Sequence, residues 1–375
     1  MIMKKIIMSF LRKLSIMNIN RQERVDIVHT MKKNGIPDVE VEGEKAFIKK
    51  WSKLGSFVDP VYYRCFSKYV GNNENIVSGN LCVEYIEPIL NPIRYRDLYE
   101  DKNMFGKILP RDILPTTILR RMNGIFMDKD YNVIDVNESN IFTFLNSVDK
   151  FIVKPSVDSS SGHNVSLFHK EGDVYLDQNN SVFSWNLLNE VYGKDFIIEY
   201  CIEQSAYMSQ FNSDSINTIR MTAYRSVKDN KIHITNCIVR IGAKHSVVDN
   251  AHSGGRFCGV DKNGKLNNYV GETYGETMEV FNGIDFKNSV FVIPDYDKIK
   301  QFAIKVVEKI PHHRLIALDI ALDKNNNPLI VEYNIGGFGY WVFQYAGQVC
   351  LDGFTDEIID YCAGCKKYTM KKVSI

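Results

Sequence analysis

The sequence predicts an α+β protein, and three observations predict it. Strand-type runs crowd the stretch from Phe151 to Asn334, helical spacing governs roughly the first 95 residues, and the two kinds of element gather in clusters instead of alternating strictly. Three segments follow from this: a helical N-terminal region at 1–95, a mixed segment at 96–150 and a strand-rich core at 151–375.

In the first segment, Ile6-Ile-Met-Ser-Phe-Leu11 is apolar and flanked by Lys4, Lys5, Arg12 and Lys13. The run is too short to span a bilayer, and no small-residue cleavage site follows it. Two readings stay open: an ordinary first helix, or a basic amphipathic helix resting on a membrane surface. The mixed segment holds a helix-like run after Asp101-Lys102-Asn103. It also holds a predicted hairpin, Gly124–Asp128 with Tyr131–Ile134, and capping chemistry at Asn137-Glu-Ser-Asn140 ahead of Ile141–Leu145. In the core, strands are predicted over 151–154, 196–202, 219–224, 232–239 and 315–322, with a helix over 296–310.

Composition narrows the class. At 375 residues the chain can build two or three subdomains. Its 46 basic and 45 acidic residues leave a net charge of +1, which gives no concentrated basic face for nucleic acid. Of the eight cysteines only Cys362-Ala-Gly-Cys365 is closely spaced, and no second pair completes a zinc site. With no secretory signal apparent, a reducing, cytoplasmic location is predicted.

The strongest chemical signal runs from Arg314 to Gly339. Leu315, Ala317, Asp319, Ala321 and Asp323 fall on one face of a strand, and Ile316, Leu318, Ile320 and Leu322 on the other, which should meet the core. In the next strand, Pro328–Asn334, alternation puts Ile330, Glu332 and Asn334 on one face. Asn325-Asn326 suits a two-residue primed turn, because Asn tolerates positive φ. Counted from that turn, or from a four-residue loop over 324–327, Asp319 lies opposite Glu332. Like charges so placed repel, and a divalent cation turns the repulsion into ligation. Asp319, Glu332 and Asn334 are therefore the candidate metal set, against a solvated acidic hairpin as the plain alternative. An EF-hand is excluded: Asp323, Asn325 and Asn327 mimic its first ligands, but Pro328 stands at the turn glycine and Asn334 at the bidentate Glu.

Three weaker signals accompany it. Phe151-Ile-Val-Lys154 ends an apolar strand on a lysine that can neutralise phosphate, and the small-residue loop holding Ser160, Ser161 and Gly162 can offer backbone N–H groups. It is not a Walker loop, since no Gly-Lys-Ser/Thr follows. Period two puts Glu199 and Glu203 on one face of an otherwise apolar run. Arg220, Arg240 and Arg256, the last in Ser253-Gly-Gly-Arg256, can bind carboxylates or phosphates bidentately. No nucleophile elbow, His-Glu-x-x-His or Cys–His spacing supports covalent catalysis.

Read in chain order, these pieces resemble the ATP-grasp superfamily, and most of all the sugar-transfer-associated ATP-grasp proteins of polysaccharide biosynthesis. The resemblance is carried by Asp101–Phe105, Phe151–Pro155, Ile197–Tyr200, Ser215–Arg220, Arg240–Gly242, Asp249-Asn250 before Ser253-Gly-Gly255, Leu318-Asp319 and Val331–Asn334. It implies two α+β subdomains clasping ATP behind a helical N-terminal region, the first nucleotide contacts coming from 96–150 and the metal site from 151–375. Lys102 and Lys154 would contact the nucleotide, Ser160 to Gly162 would cover its phosphates, Glu199 would accept from the adenine amino group, backbone near Ile202 would read the ring, and Glu203 would meet the ribose. The implied cofactors are ATP and Mg2+. The implied reaction is ligation of a carboxylate, of a sugar acid, to an amine through an acyl phosphate; a phosphotransferase or a non-catalytic ATP-binding module are the alternatives. Many relatives carry an arginine two residues before the first metal aspartate, where this chain has Ala317, so transition-state charge falls to Arg220, Arg240 or Arg256. Phe338-Gly-Tyr-Trp341 is a candidate acceptor lining or a packed core segment.

Overall fold

A computed structural model describes residues 2–157, 164–247 and 249–372. The chain opens on helices Ile2–Lys33, Glu44–Trp51 and Pro60–Val70. The third starts where its sequence says: Pro60 occupies the first turn, where its missing N–H costs nothing, and the Asp59 side chain accepts from the Val61 N–H at 3.1 Å. Their apolar faces bury Trp51, Tyr62 and Phe66 in one cluster with Phe338, Tyr345 and Ile359, so the two ends of the chain share a core.

Two antiparallel sheets follow. The first holds β1 (Thr117–Met122), β2 (Ile125–Met127), β3 (Lys150–Pro155), β4 (Ser166–Glu171), β5 (Val174–Leu176) and β6 (Phe196–Tyr200), in the order β2-β1-β6-β3-β4-β5. The second comprises β7 (Thr218–Arg225), β8 (Ile232–Ile241), β9 (Arg256–Gly259), β10 (Val270–Gly271) and β11 (Thr277–Met278), with a detached ribbon β12 (Val280–Phe281) and β13 (Ile284–Asp285). It is completed by β14 (Leu315–Leu322) and β15 (Pro328–Asn334), in the order β11-β10-β9-β8-β7-β14-β15. Helix Tyr296–Glu308 packs Ile299, Ala303, Val306 and Val307 onto its back, against Ile316, Leu318, Ile320 and Leu322, the face alternation predicted.

The chain is thus α+β with a helical N-terminal region, and several sequence expectations need correction. The boundary placed at 150 falls inside the first sheet. Hairpin β1–β2 turns at Asn123-Gly124 with φ of 47° and 87°. The expected pairing of Gly124–Asp128 with Tyr131–Ile134 lies beside it as a bridge from Met127 to Val133, with Asp128 N–H on the Asn132 carbonyl and Ile134 N–H on the Phe126 carbonyl. Asn-Gly with both φ positive is the primed-turn signature, and it marked the spot. β6 stops at Tyr200, so Glu199 and Glu203 do not lie along one strand.

The β14–β15 register puts Asp319 opposite Glu332 as counted, by a different route. The tip is not a two-residue turn. Asp323 N–H bonds the Asn327 carbonyl, Asp323 Oδ1 accepts from the N–H groups of Asn325 and Asn327, and Asn326 takes φ 62°. That loop leaves Leu322 against Pro328 and Ile320 against Ile330, one residue out of step. A bulge at Val331 then restores the offset, because Glu332 pairs with Asp319. The bulge also corrects the face assignment: Ile330 is buried in the core, while Val331 and Glu332 line the cleft.

Candidate active site

A cleft of about 460 Å³ opens between the sheets. Its first wall comes from β3 and β6, whose alternation sends Phe151, Val153 and Ile198 into that sheet's own core and leaves Ile152, Lys154 and Glu199 facing the cleft. Lys154 Nζ meets Glu199 Oε2 at 2.7 Å, and each side chain is 9% exposed. Leu167 of β4 extends the apolar floor, and Tyr200 to Gln204 form the rim. Glu203 stands on that rim, 74% exposed and paired with Lys324 at 2.8 Å.

The opposite wall is a charged row on the second sheet. Arg220, Asp319 and Glu332 are directly opposed on β7, β14 and β15. Arg220 grips Asp319 with both prongs, Nε to Oδ1 at 2.7 Å and Nη2 to Oδ2 at 2.6 Å. Arg240 Nη1 adds 3.1 Å and Asn334 Nδ2 3.4 Å to Oδ2 of the same carboxylate. Burial pushes the Asp319 carboxyl up, yet Arg220 and then Arg240 outweigh it and hold it below the usual carboxylate range. Glu332 is more open and takes Lys102 Nζ at 2.8 Å. Lys102 reaches it from a turn that Asp101 caps by accepting from the Asn103 N–H, beside a helix whose Phe105 stacks on Tyr333 of β15.

Beyond Arg240 lies a carboxylate that the sequence reading quoted but gave no role. Asp249 takes Arg240 Nη2 at 3.1 Å on Oδ1 and the Thr218 hydroxyl on Oδ2. Burial raises its pKa, and Arg240 and Thr218 recover only part of that. The loop that presents it depends on Gly255: a Cβ there would sit 2.6 Å from the Asp249 carbonyl oxygen and 2.8 Å from that of Asn250. The Ser215–Arg220 run reads in the same terms. Asn217, fully buried, donates to the carbonyls of Met208 and Asn212, while Thr218 and Arg220 alternate toward the cleft.

Of the predicted residues, Lys102, Lys154, Glu199, Ile202, Glu203, Arg240, Asp319 and Glu332 line one cleft, and Arg220 and Asn334 are bonded to Asp319 behind it. Arg256 does not join them. Its guanidinium donates to the carbonyls of Gly254 and Gly255 and lies over the Phe281 ring. Ser160, Ser161 and Gly162 lie outside the described residues. Phe338 and Tyr340 are core, and the N–H groups of Gly336 to Phe338 are taken by Glu100 and Glu87.

Residues 81–359 match the family model for sugar-transfer associated ATP-grasp. The chain belongs to that family. No curated protein matches it in sequence. Among solved structures it is similar to the D-alanine-D-alanine ligase from Coxiella burnetii, at 13% identity, 73% of this chain, 60% of that one and a TM-score of 0.40. It is likewise similar to the D-cycloserine synthetase DcsG, at 10% identity, 73% of each chain and 0.39, and to the ATP-grasp ligase PsnB, at 11% identity, 72% and 62% coverage and 0.39. This chain spans about 60% of the Coxiella enzyme's length, so that protein's own substrates do not transfer with the likeness.

As an ATP-grasp protein its cofactors are ATP and Mg2+. The donor set fits them. Magnesium favours one or two carboxylates plus phosphate oxygens, and Asp319, Glu332 and the Asn334 amide supply that set on adjoining strands. Among the described residues no cluster of three or more His, Cys, Asp and Glu side chains competes for it. Glu199, Glu332, Asp319 and Asp249 are each paired with a lysine or arginine in the cleft.

Proposed function

We propose that this ATP-grasp protein is a carboxylate–amine ligase that works through an acyl phosphate, coupling an amino acid or other amine to a uronic-type sugar carboxylate in surface polysaccharide biosynthesis. The observation that supports it most is the row Arg220–Asp319–Glu332, with Arg240, Asn334 and Lys102 closing around the two acids.

Lys102 and Lys154 neutralise phosphate oxygens as point charges. Glu199, at the back of the apolar floor, accepts from the adenine amino group, and backbone at Ile202 reads the ring edge. Asp319, Glu332 and Asn334 would hold Mg2+, which would screen the charge of the phosphate tail. The substrate carboxylate attacks the γ-phosphorus, the bond to the β–γ bridging oxygen breaks, and ADP leaves. The amine then adds to the acyl carbon and inorganic phosphate departs, with one proton lost from nitrogen. Arg240, which lines the cleft, would meet charge building on the transferring group, and Arg220 would act through Asp319, which it holds. This is the positioning and charge neutralisation on which phosphoryl transfer depends.

ADP release over a panel of sugar acids, with and without amino acids, tests the reading. Turnover should need both partners and yield an amide. A stable phosphorylated product formed without amine would make the protein a phosphotransferase instead. Asp319→Ala and Glu332→Ala should each abolish turnover, and activity retained in either removes the metal assignment.

A further inference from the structure

The helix Ile2–Lys33 is 32 residues long, and its second part packs on the body of the protein. Among the residues whose side chains are described, the Asn20 amide donates to Glu84 at 2.8 Å, Arg24 bonds Asp59, and Ile27 and Met31 are buried. Before Asn20, Leu14, Met17 and Ile19 are 40%, 64% and 45% exposed. Residues 2–19, about 27 Å of helix, contain eleven apolar residues, four basic ones and no acid, and the first acidic residue of the chain is Glu23. The apolar residues include 3, 7, 10, 14 and 17, the three- and four-residue spacing that forms one row on a helix.

A second exposed apolar group sits where the helix meets the body. Phe57 is 72% exposed. It follows Ser56, whose hydroxyl donates to the same Glu84 carboxylate that Asn20 holds. No helix among the described residues is long and apolar enough to cross a membrane. An apolar row in a helical segment that carries four basic residues and no acid suits a surface that is apolar below and anionic above. A second copy of the same helix fits it poorly, since either orientation sets positive charge beside positive charge.

We propose that the first five turns of this helix, with Phe57, dock the protein on an anionic lipid bilayer surface. The inference is independent of the reaction assigned to the cleft. Its test is co-sedimentation of the full chain with vesicles of equimolar phosphatidylcholine and phosphatidylglycerol, against phosphatidylcholine alone, at low and high salt. The protein should pellet with the anionic vesicles only, and salt should release it. Arg12→Gln and Lys13→Gln should each lower partitioning about five-fold, the ratio equivalent to about 1 kcal/mol per basic residue near anionic lipid. Leu14→Asp and Phe57→Ser should lower it further, with thermal melting of both variants unchanged. Failure to pellet, equal binding to neutral vesicles, or binding unaffected by Leu14→Asp would overturn the proposal. So would a lipid-free dimer that Leu14→Asp converts to monomer.

Discussion

The two sheets face one cleft and meet the problem of buried charge differently. The first offers one isolated pair, Lys154 with Glu199. The second offers an interlocked set, in which Asp319 is held by Arg220, Arg240 and Asn334, and Arg240 also holds Asp249. An isolated pair can part when a ligand supplies new partners to both members. A carboxylate with three donors cannot move without leaving several groups unpaired, so it fixes geometry. The first wall suits exchange, and the second suits positioning.

The largest expected effect tests that contrast directly. Arg220→Ala strips the bidentate partner from a carboxylate that is 2% exposed, and unfolding by urea should show a loss of about 3–5 kcal/mol. Lys154→Met, at the cleft wall, should cost less, about 1–3 kcal/mol. A reversed order would show that the two walls do not differ in this way. Next, Glu199→Leu should weaken ATP binding about tenfold or more, as expected for removal of a hydrogen bond to a charged acceptor. Calorimetric titration showing unchanged affinity would move the base-recognition site elsewhere.

A pH series sharpens the second wall. Asp319 is held below its unfolded pKa of about 3.9. Its contribution to stability is present above that value and lost as pH falls through the folded one. Asp249 is held above its unfolded value, so its contribution is present at low pH and lost as pH rises through the folded one. Stability differences between wild type and Asp319→Asn, and between wild type and Asp249→Asn, should therefore slope in opposite directions across the acid range. In the helical region burial first, then Glu87 and Asp26, raise Glu23 to about 7. Glu23→Gln should accordingly raise the melting temperature at pH 8 and leave it unchanged at pH 5. The smallest effect belongs to Arg256→Ala, which should cost the cation–π contact with Phe281 and the hydrogen bonds to the Gly254 and Gly255 carbonyls, about 1–2 kcal/mol, and leave turnover unchanged.

Much of this was legible because alternation is a local property. The apolar face of β14 and the helix at Tyr296–Glu308 follow from counting residues along a strand or helix, whereas Asp319 meets Glu332 as counted only because the loop's one-residue offset and the bulge cancel. Whatever depended on the partner strand was hidden. Counting gave no sign of the Val331 bulge, since an extra residue shows only against the strand it faces. Asp249 lacked a role because its meaning comes from Arg240 on a strand across the sheet. Arg256 looked like Arg220 in sequence and differs only in what surrounds it. The Asn123-Gly124 turn was readable and was passed over for the hairpin beside it.

The bulge at Val331 has a practical corollary. Deleting that one residue would leave Glu332 next to Ile330 and still opposite Asp319, so the strand pairing should survive while the cleft loses the Val331 side chain. The tip itself, 323–327, lies outside the bulge and is tied by its own Asp323 bonds. Because Lys324 of the tip pairs with Glu203 on the cleft rim and Asp323 bridges Gln204, a fluorophore grafted there would report directly on that rim.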